Sequence, residues 1–182
     1  MIRDGRAVVE GFVASGHVYG ALVAPNRLVA LAAVPAKFSR HDFSPGHFTA
    51  SAVLVDRETR RLLLIRHPKL GGWLQPGGHI EPSDTSVVAA AAREAEEETG
   101  FVVRIRDAVP MALETHRIPA WGPEPSHLHL DLRFLFEVCE EAGRPSAGLE
   151  RRWFALDSRE AGQALGATLE RVHEILGAAG RD

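Results

Sequence analysis

The chain has 182 residues, of which 45% are hydrophobic and 25% charged. That is the profile of an ordinary globular domain, and it excludes disordered, collagen-like and disulfide-framework architectures. A formal net charge of -3 gives no support to a nucleic-acid polymer held by bulk positive charge.

The one cysteine, Cys139, cannot close an internal disulfide, which suits a reducing compartment. No apolar run reaches the ~20 residues of a membrane-spanning helix. The apolar stretch Leu28 to Ala36 is preceded by Asp4 and Glu10, the wrong layout for an export leader. The expectation is a cytoplasmic protein with no membrane contact.

In chain order, residues 1–47 are expected to form a short helical appendage to a main domain at 48–182. Ala7, Val8, Phe12 and Val13 mark one amphipathic helix, and Leu28, Val29 and Leu31 a second that ends before Pro35. This appendage would act as a cap on the main domain or as an arm through which a homodimer forms. From Phe48 the pattern changes. Phe48 to Val55 reads as a strand, and Arg61 to Ile65 as its hairpin partner. A loop with Pro76, Gly77 and Gly78 follows.

A helix is expected over 84–99, with Ser83 or Asp84 at its start and Gly100 at its left-handed stop. Strands are expected over 102–108, 112–118, 127–139 and 151–156. Asp157 and Glu160 form a capping box for a last helix running to about Leu176. Long strands with a central and a terminal helix imply an α/β fold, a mixed sheet between helices.

The segment Arg93-Glu94-Ala95-Glu96-Glu97-Glu98 carries the strongest chemical signal. Glu94, Glu97 and Glu98 stand at i, i+3 and i+4, so their carboxylates share a helix face and repel by roughly 0.2–0.5 kcal/mol per pair. They also lie in the second half of the helix, where the macrodipole disfavours anions. A hard divalent cation resolves that conflict, because Mg²⁺ takes oxygen ligands and combines carboxylates with substrate phosphates. Gly77 and Gly78 let backbone approach such a ligand closely. Arg93 can brace a carboxylate with a forked hydrogen bond.

Pro76-Gly77-Gly78-His79-Ile80-Glu81, followed by Arg93-Glu94-Ala95-Glu96-Glu97-Glu98-Thr99-Gly100-Phe101, closely resembles the Nudix box. The resemblance spans about 48–176. It departs from the usual box in three respects. The run from Gly78 to Arg93 is one residue longer, the loop acid is Asp84 rather than glutamate, and Ser83 replaces a frequent glycine. An insertion inside the helix would rotate the carboxylate face, so the extra residue is expected in the loop before it.

The resemblance implies a Nudix-type α/β/α sandwich and a hydrolase that cleaves a diphosphate linkage in a nucleotide or nucleoside-diphosphate-linked substrate. It further implies Mg²⁺ or Mn²⁺ held by Glu94, Glu97, Glu98 and the Gly77 carbonyl. Glu98 or Glu97 would be the general base, and Arg93 would orient the glutamates. Two rivals share the fold. One is a non-catalytic sensor of such a ligand, which the complete set of charged box residues argues against. The other is a prenyl-diphosphate isomerase, whose acid/base pair has no clear counterpart around Cys139.

Four further residues are candidates for substrate contact. His127 and His129, with Asp131, alternate along one side of a strand, and phosphate or sugar contact is favoured there over a second metal. Trp121, in the Pro/Gly-rich loop 118–126, either packs that loop onto the domain or stacks on a nucleobase, a contact worth ~1–3 kcal/mol. Arg66, with His67 and Lys69, forms a small positive group near the glycine loop, either to meet substrate phosphates or as solvated hairpin charges. The other histidines, including His79, receive no role.

Overall fold

The structure is a computed structural model, and it describes all residues except 1–3, 21, 68–70, 106–107, 142, 144, 146–147 and 179–182. Lys69 therefore lies outside the described residues. Helix α1 (Gly5–Ser15) is followed by strand β1 (Val18–Tyr19), helix α2 (Pro25–Ala32) and a 3₁₀ turn at Pro35–Phe38. Strands β2 (Gly46–Asp56) and β3 (Arg61–Arg66) form the hairpin, and β4 (Trp73–Leu74) and β5 (Gly77–His79) flank the glycines. Helix α3 spans Val87–Thr99. Strands β6 (Phe101–Val103), β7 (Val109–Ile118), β8 (His127–Glu141) and β9 (Arg151–Ala155) lead to helices α4 (Arg159–Leu165) and α5 (Thr168–Ala178).

The main path through the sheet runs β1-β7-β8-β2-β3-β4, with β5 on β2, β6 on β8 and β9 on β3. Its spine is the parallel pair of β2 and β8, in register from Gly46 opposite Leu128 to Val55 opposite Glu137. The β7–β8 and β2–β3 pairs are antiparallel, so the sheet is mixed. Its two faces read off β2 by alternation. Phe48, Ala50, Ala52 and Leu54 join the cluster that packs α1, α2 and α3, while Val53 and Val55 join the one that packs α4 and α5. Helices thus cover both faces, as an α/β/α sandwich requires.

Several boundaries differ from the sequence expectation, for local reasons. Helix α3 starts later, because Ser86 rather than Ser83 or Asp84 is its N-cap, accepting from the Ala89 amide at 3.0 Å. The helix is uninterrupted, and residues 80–86 form the lengthened loop before it. The strand expected over 102–108 is the short β6, with residues 106–107 of that span outside the described residues. The last helix is two, separated at Gly166 (φ +52°). Ser158, not Asp157, caps α4 by accepting from the Ala161 amide.

The N-terminal segment is built into the same core as the sheet. Val9, Phe12, Leu28 and Phe38 are buried in one cluster with Phe48 and Phe134. The Phe12 ring meets Phe134 edge-on at 5.6 Å, and Phe38 stacks on Phe48 at 4.8 Å. Strand β1, absent from the sequence expectation, adds a parallel edge to β7. At two residues it is too short to show a period.

Candidate active site

Helix α3 lies against the first face of the sheet through Val87, Ala90, Ala91 and Ala95, all buried. The small alanines let its second half approach the glycine strand β5. That strand is fixed by pairing with β2, Gly77 opposite Ser51 and Gly78 opposite Ala50. A side chain at either glycine would be crowded, by different neighbours. A Cβ on Gly77 would stand 2.7 Å from the Ser51 Cα, and one on Gly78 would stand 2.8 Å from the Glu94 carboxylate. At Gly77 the obstacle includes strand backbone, whereas at Gly78 it is the flexible end of a side chain, so the need for glycine is stricter at Gly77.

Arg93 organises the carboxylates. Its Nε and Nη2 donate to the two oxygens of Asp84 at 3.0 and 3.1 Å, a forked pair. Nη1 donates to Glu94 at 2.9 Å and Glu97 at 3.1 Å, and Nη2 also donates to the His79 carbonyl at 3.0 Å. Asp84 is buried and accepts from the Glu81 amide as well. The loop acid therefore ties the lengthened loop to Arg93, which gives Asp84 the place that sequence reasoning left open. Glu98 reaches the opposite wall, where it accepts from the Gly77 amide at 2.9 Å.

The electrostatics of this cluster are strained. Burial raises the Glu94 carboxyl above its ordinary range, against the pull of Arg93. Burial, with Glu94 and Glu97 adding repulsion, pushes Glu98 up to about 7. Hydrogen bonds to Asp84 and Glu94 hold the Arg93 guanidinium firmly protonated. One guanidinium thus serves a group of carboxylates, two of them partly desolvated. An oxygen-seeking divalent ion fits such a donor set. Glu94 and Glu97 now share Arg93, and Glu98 leans on Gly77, so the resting side chains are held by the protein's own donors.

The remaining sequence candidates fall elsewhere. His127 and His129 meet on the second face of the sheet, at the end of β8 beside His47 of β2. Asp131 does not join them. It accepts from Thr49, Ser51 and Arg133 at 2.8–2.9 Å and is buried. Burial opposes its ionisation, but Arg133 and His116 outweigh that and hold it below the usual carboxylate range. Trp121 stands in the turn between β7 and β8, paired with Glu124 through the backbone and 67% exposed. Arg66 ends β3 in an exposed pair with Glu150 at 3.7 Å.

Sequence reasoning missed His47. The signal was present in the alternation of His47, Thr49 and Ser51 with Phe48, Ala50 and Ala52, which puts a polar stripe on one face of an otherwise apolar strand.

The NUDIX domain pattern matches residues 46–170. The chain belongs to the Nudix hydrolase family. The match starts with β2, two residues before the expected boundary. A probable DHNTP pyrophosphohydrolase of Lactococcus lactis subsp. cremoris is 31% identical over 123 residues, 67% of this chain and 71% of that protein. A CMP-5'-(N-acetyl-N-hydroxy-3-aminopropyl)phosphonate hydrolase of Streptomyces rubellomurinus is 34% identical over 124 residues, 64% of this chain and 55% of its own length. Among solved structures, a MutT Nudix hydrolase from Burkholderia pseudomallei superposes with a TM-score of 0.52 at 26% identity, covering 69% of this chain and 96% of that one. A Nudix hydrolase from Nitrosomonas europaea shares the fold, with a TM-score of 0.51 at 21% identity over 72% of this chain and 88% of its own. Among the described residues no helix is long and apolar enough to cross a membrane.

Proposed function

We propose that this Nudix hydrolase cleaves a diphosphate linkage in a nucleotide or a nucleoside-diphosphate-linked small molecule, with Mg²⁺ or Mn²⁺ held by Glu94, Glu97, Glu98 and the Gly77 carbonyl. The observation that carries the reading is the cluster of carboxylates gathered round Arg93 and pressed against the bare backbone of Gly77 and Gly78. The two curated relatives support the substrate class. One is named a pyrophosphohydrolase, and the other a hydrolase of a CMP-5'-linked phosphonate.

When bound, the divalent ion supplies neutralisation of phosphate oxygens and acidification of a water. The chain's own residues do the rest. Glu98, which stands at the glycine strand and accepts from the Gly77 amide, is favoured over Glu97 as the general base. It takes the proton of the water whose oxygen attacks phosphorus, as the bridging P–O bond breaks and its electrons leave with the departing phosphate. Arg93 acts as a positioning residue, fixing Glu94 and Glu97 while Asp84 fixes Arg93. Gly77 and Gly78 admit the polyphosphate chain to the helix.

Trp121, on the exposed β7–β8 turn, is proposed to stack on a base. Arg66 is proposed to meet an outer phosphate in place of Glu150, and His127 and His129 line the adjoining polar face of the sheet. The test is a panel of nucleoside diphosphates and triphosphates, nucleotide sugars and dinucleotide polyphosphates, assayed with Mg²⁺ for released phosphate, pyrophosphate or nucleoside monophosphate. Turnover of at least one member is expected. Tight binding of a member without turnover across the panel would instead mark a sensor.

A further inference from the structure

We propose that His47, His127 and His129 form a site for a divalent transition-metal ion of the zinc class, bound through imidazole nitrogens and outside the carboxylate cluster. The proposal stands independently of the hydrolase reading.

Strand pairing brings the three residues together. His47 lies opposite His129 across the β2–β8 ladder, and His127 lies two residues back on the same face. One ligand atom from each lies within 4.8 Å of the others. Tetrahedral coordination at about 2.0–2.1 Å would draw these atoms closer together by turning the rings. Among the described residues no other set of three histidine, cysteine or carboxylate groups converges in this way.

Hydrogen bonding fixes the tautomers. His47 Nδ1 faces the Asp42 carbonyl at 3.0 Å, and His127 Nδ1 faces the Pro125 carbonyl at 2.8 Å. A carbonyl only accepts, so each Nδ1 carries the proton and each neutral ring presents an Nε2 lone pair. This is the backbone support that metal-ligating histidines generally have. His47 is fully buried, and its Nε2 has no hydrogen-bond partner. A buried polar atom left unmet is costly, and ligation would satisfy it.

The surroundings favour neutral rings. His47 and His127 are buried and His129 half-buried, which disfavours a charged imidazolium. Neutral imidazoles are weak partners for a phosphate and good ligands for zinc, nickel or cobalt. Phe43 packs against His127 at 5.0 Å and His47 at 6.3 Å, an apolar wall on one side. His79, its ring 5.1 Å from His47, is the nearest candidate for a fourth ligand. Without it, that position is open to water or an anionic oxygen.

The full-length protein, stripped with chelator, would be titrated with Co²⁺ alone, reading the intense visible absorption of a four-coordinate nitrogen site. Zn²⁺ would then be added as competitor, and the melting temperature followed in parallel. Expected is saturation at one equivalent, bleaching by Zn²⁺ and a Zn²⁺-dependent rise in melting temperature. His129→Gln, at a half-buried position, and His47→Ala should each weaken binding by more than the roughly 10–100-fold typical of losing an outer-shell partner. Glu97→Gln should leave the absorption unchanged. A weak octahedral spectrum only, or a signal that survives a folded His129→Gln, or one lost in Glu97→Gln, would overturn the proposal.

Discussion

Asp84 shows how much depends on single side chains near the helix. It is buried, while Arg93 keeps about a quarter of its side chain exposed. Losing the carboxylate leaves a partly desolvated guanidinium short of its main partner. Breaking a buried pair costs about 3–5 kcal/mol, and the exposure of Arg93 places Asp84→Ala toward the lower end. A drop of roughly 3 kcal/mol in urea unfolding is expected, with a loss of turnover as Arg93 releases Glu94 and Glu97. A change below 1 kcal/mol would show that the forked pair is ornamental.

Glu98 carries the pH dependence. Its carboxyl titrates at about 7 in the fold against an ordinary 4.5. Between those values the folded chain keeps a proton that the unfolded chain has lost. Stability of the metal-free protein therefore falls as pH rises through that window. Calorimetry in chelator from pH 5 to pH 8 should show a falling melting temperature that Glu98→Gln flattens and saturating Mg²⁺ largely offsets. An identical slope in the variant would remove Glu98 from the account.

At the scale of elements, the site is a junction between helix α3 and strand β5. The two glycines make separable predictions there. A Cβ on Gly78 meets the flexible end of Glu94, whereas one on Gly77 meets backbone of β2. Gly77→Ala must push β5 off its partner and should cost about 1–3 kcal/mol, in the range of overpacked interiors. Gly78→Ala should spare much of that stability yet displace Glu94 and lower turnover. Thermal melts with single-substrate kinetics distinguish the two, and equal stability losses would contradict the geometry.

Helix α3 was legible in the sequence because its alanines, its spaced glutamates and Gly100 all agree. Its first turn was not, since Ser83, Asp84 and Ser86 are all competent caps and only tertiary demand decides among them. Arg93 recruits Asp84, and Ser86 is left to cap. Strands β4 and β5 are too short for periodicity to show. The histidine set escaped notice because His47 lies some eighty residues from His127, and only the parallel β2–β8 register joins them.

Across the whole molecule, the family pattern begins at residue 46, but the core does not. Phe12 and Phe38 fill the same cluster as Phe48 and Phe134, and β1 extends the sheet. Composition alone separated these residues from the rest, because their short helices and glycines look unlike long strands. Burial on folding joins them. Phe12→Ala should cost about 3–5 kcal/mol, with one cooperative unfolding transition in urea. A loss below 1 kcal/mol, or a separate early transition, would show that the segment is dispensable to the core.

The proposed hydrolysis of a phosphoanhydride with a divalent ion rests on the carboxylates of α3. The most direct measurement is turnover by Glu97→Gln beside the unaltered protein, across the nucleotide panel in Mg²⁺, with melting temperatures recorded for both. Glu97 is exposed, and its ion pair with Arg93 is worth less than about 1 kcal/mol, so the fold should be nearly unaffected. Cleavage of at least one substrate by the unaltered protein is expected, with most of that activity lost in the variant. Full turnover by Glu97→Gln would contradict it.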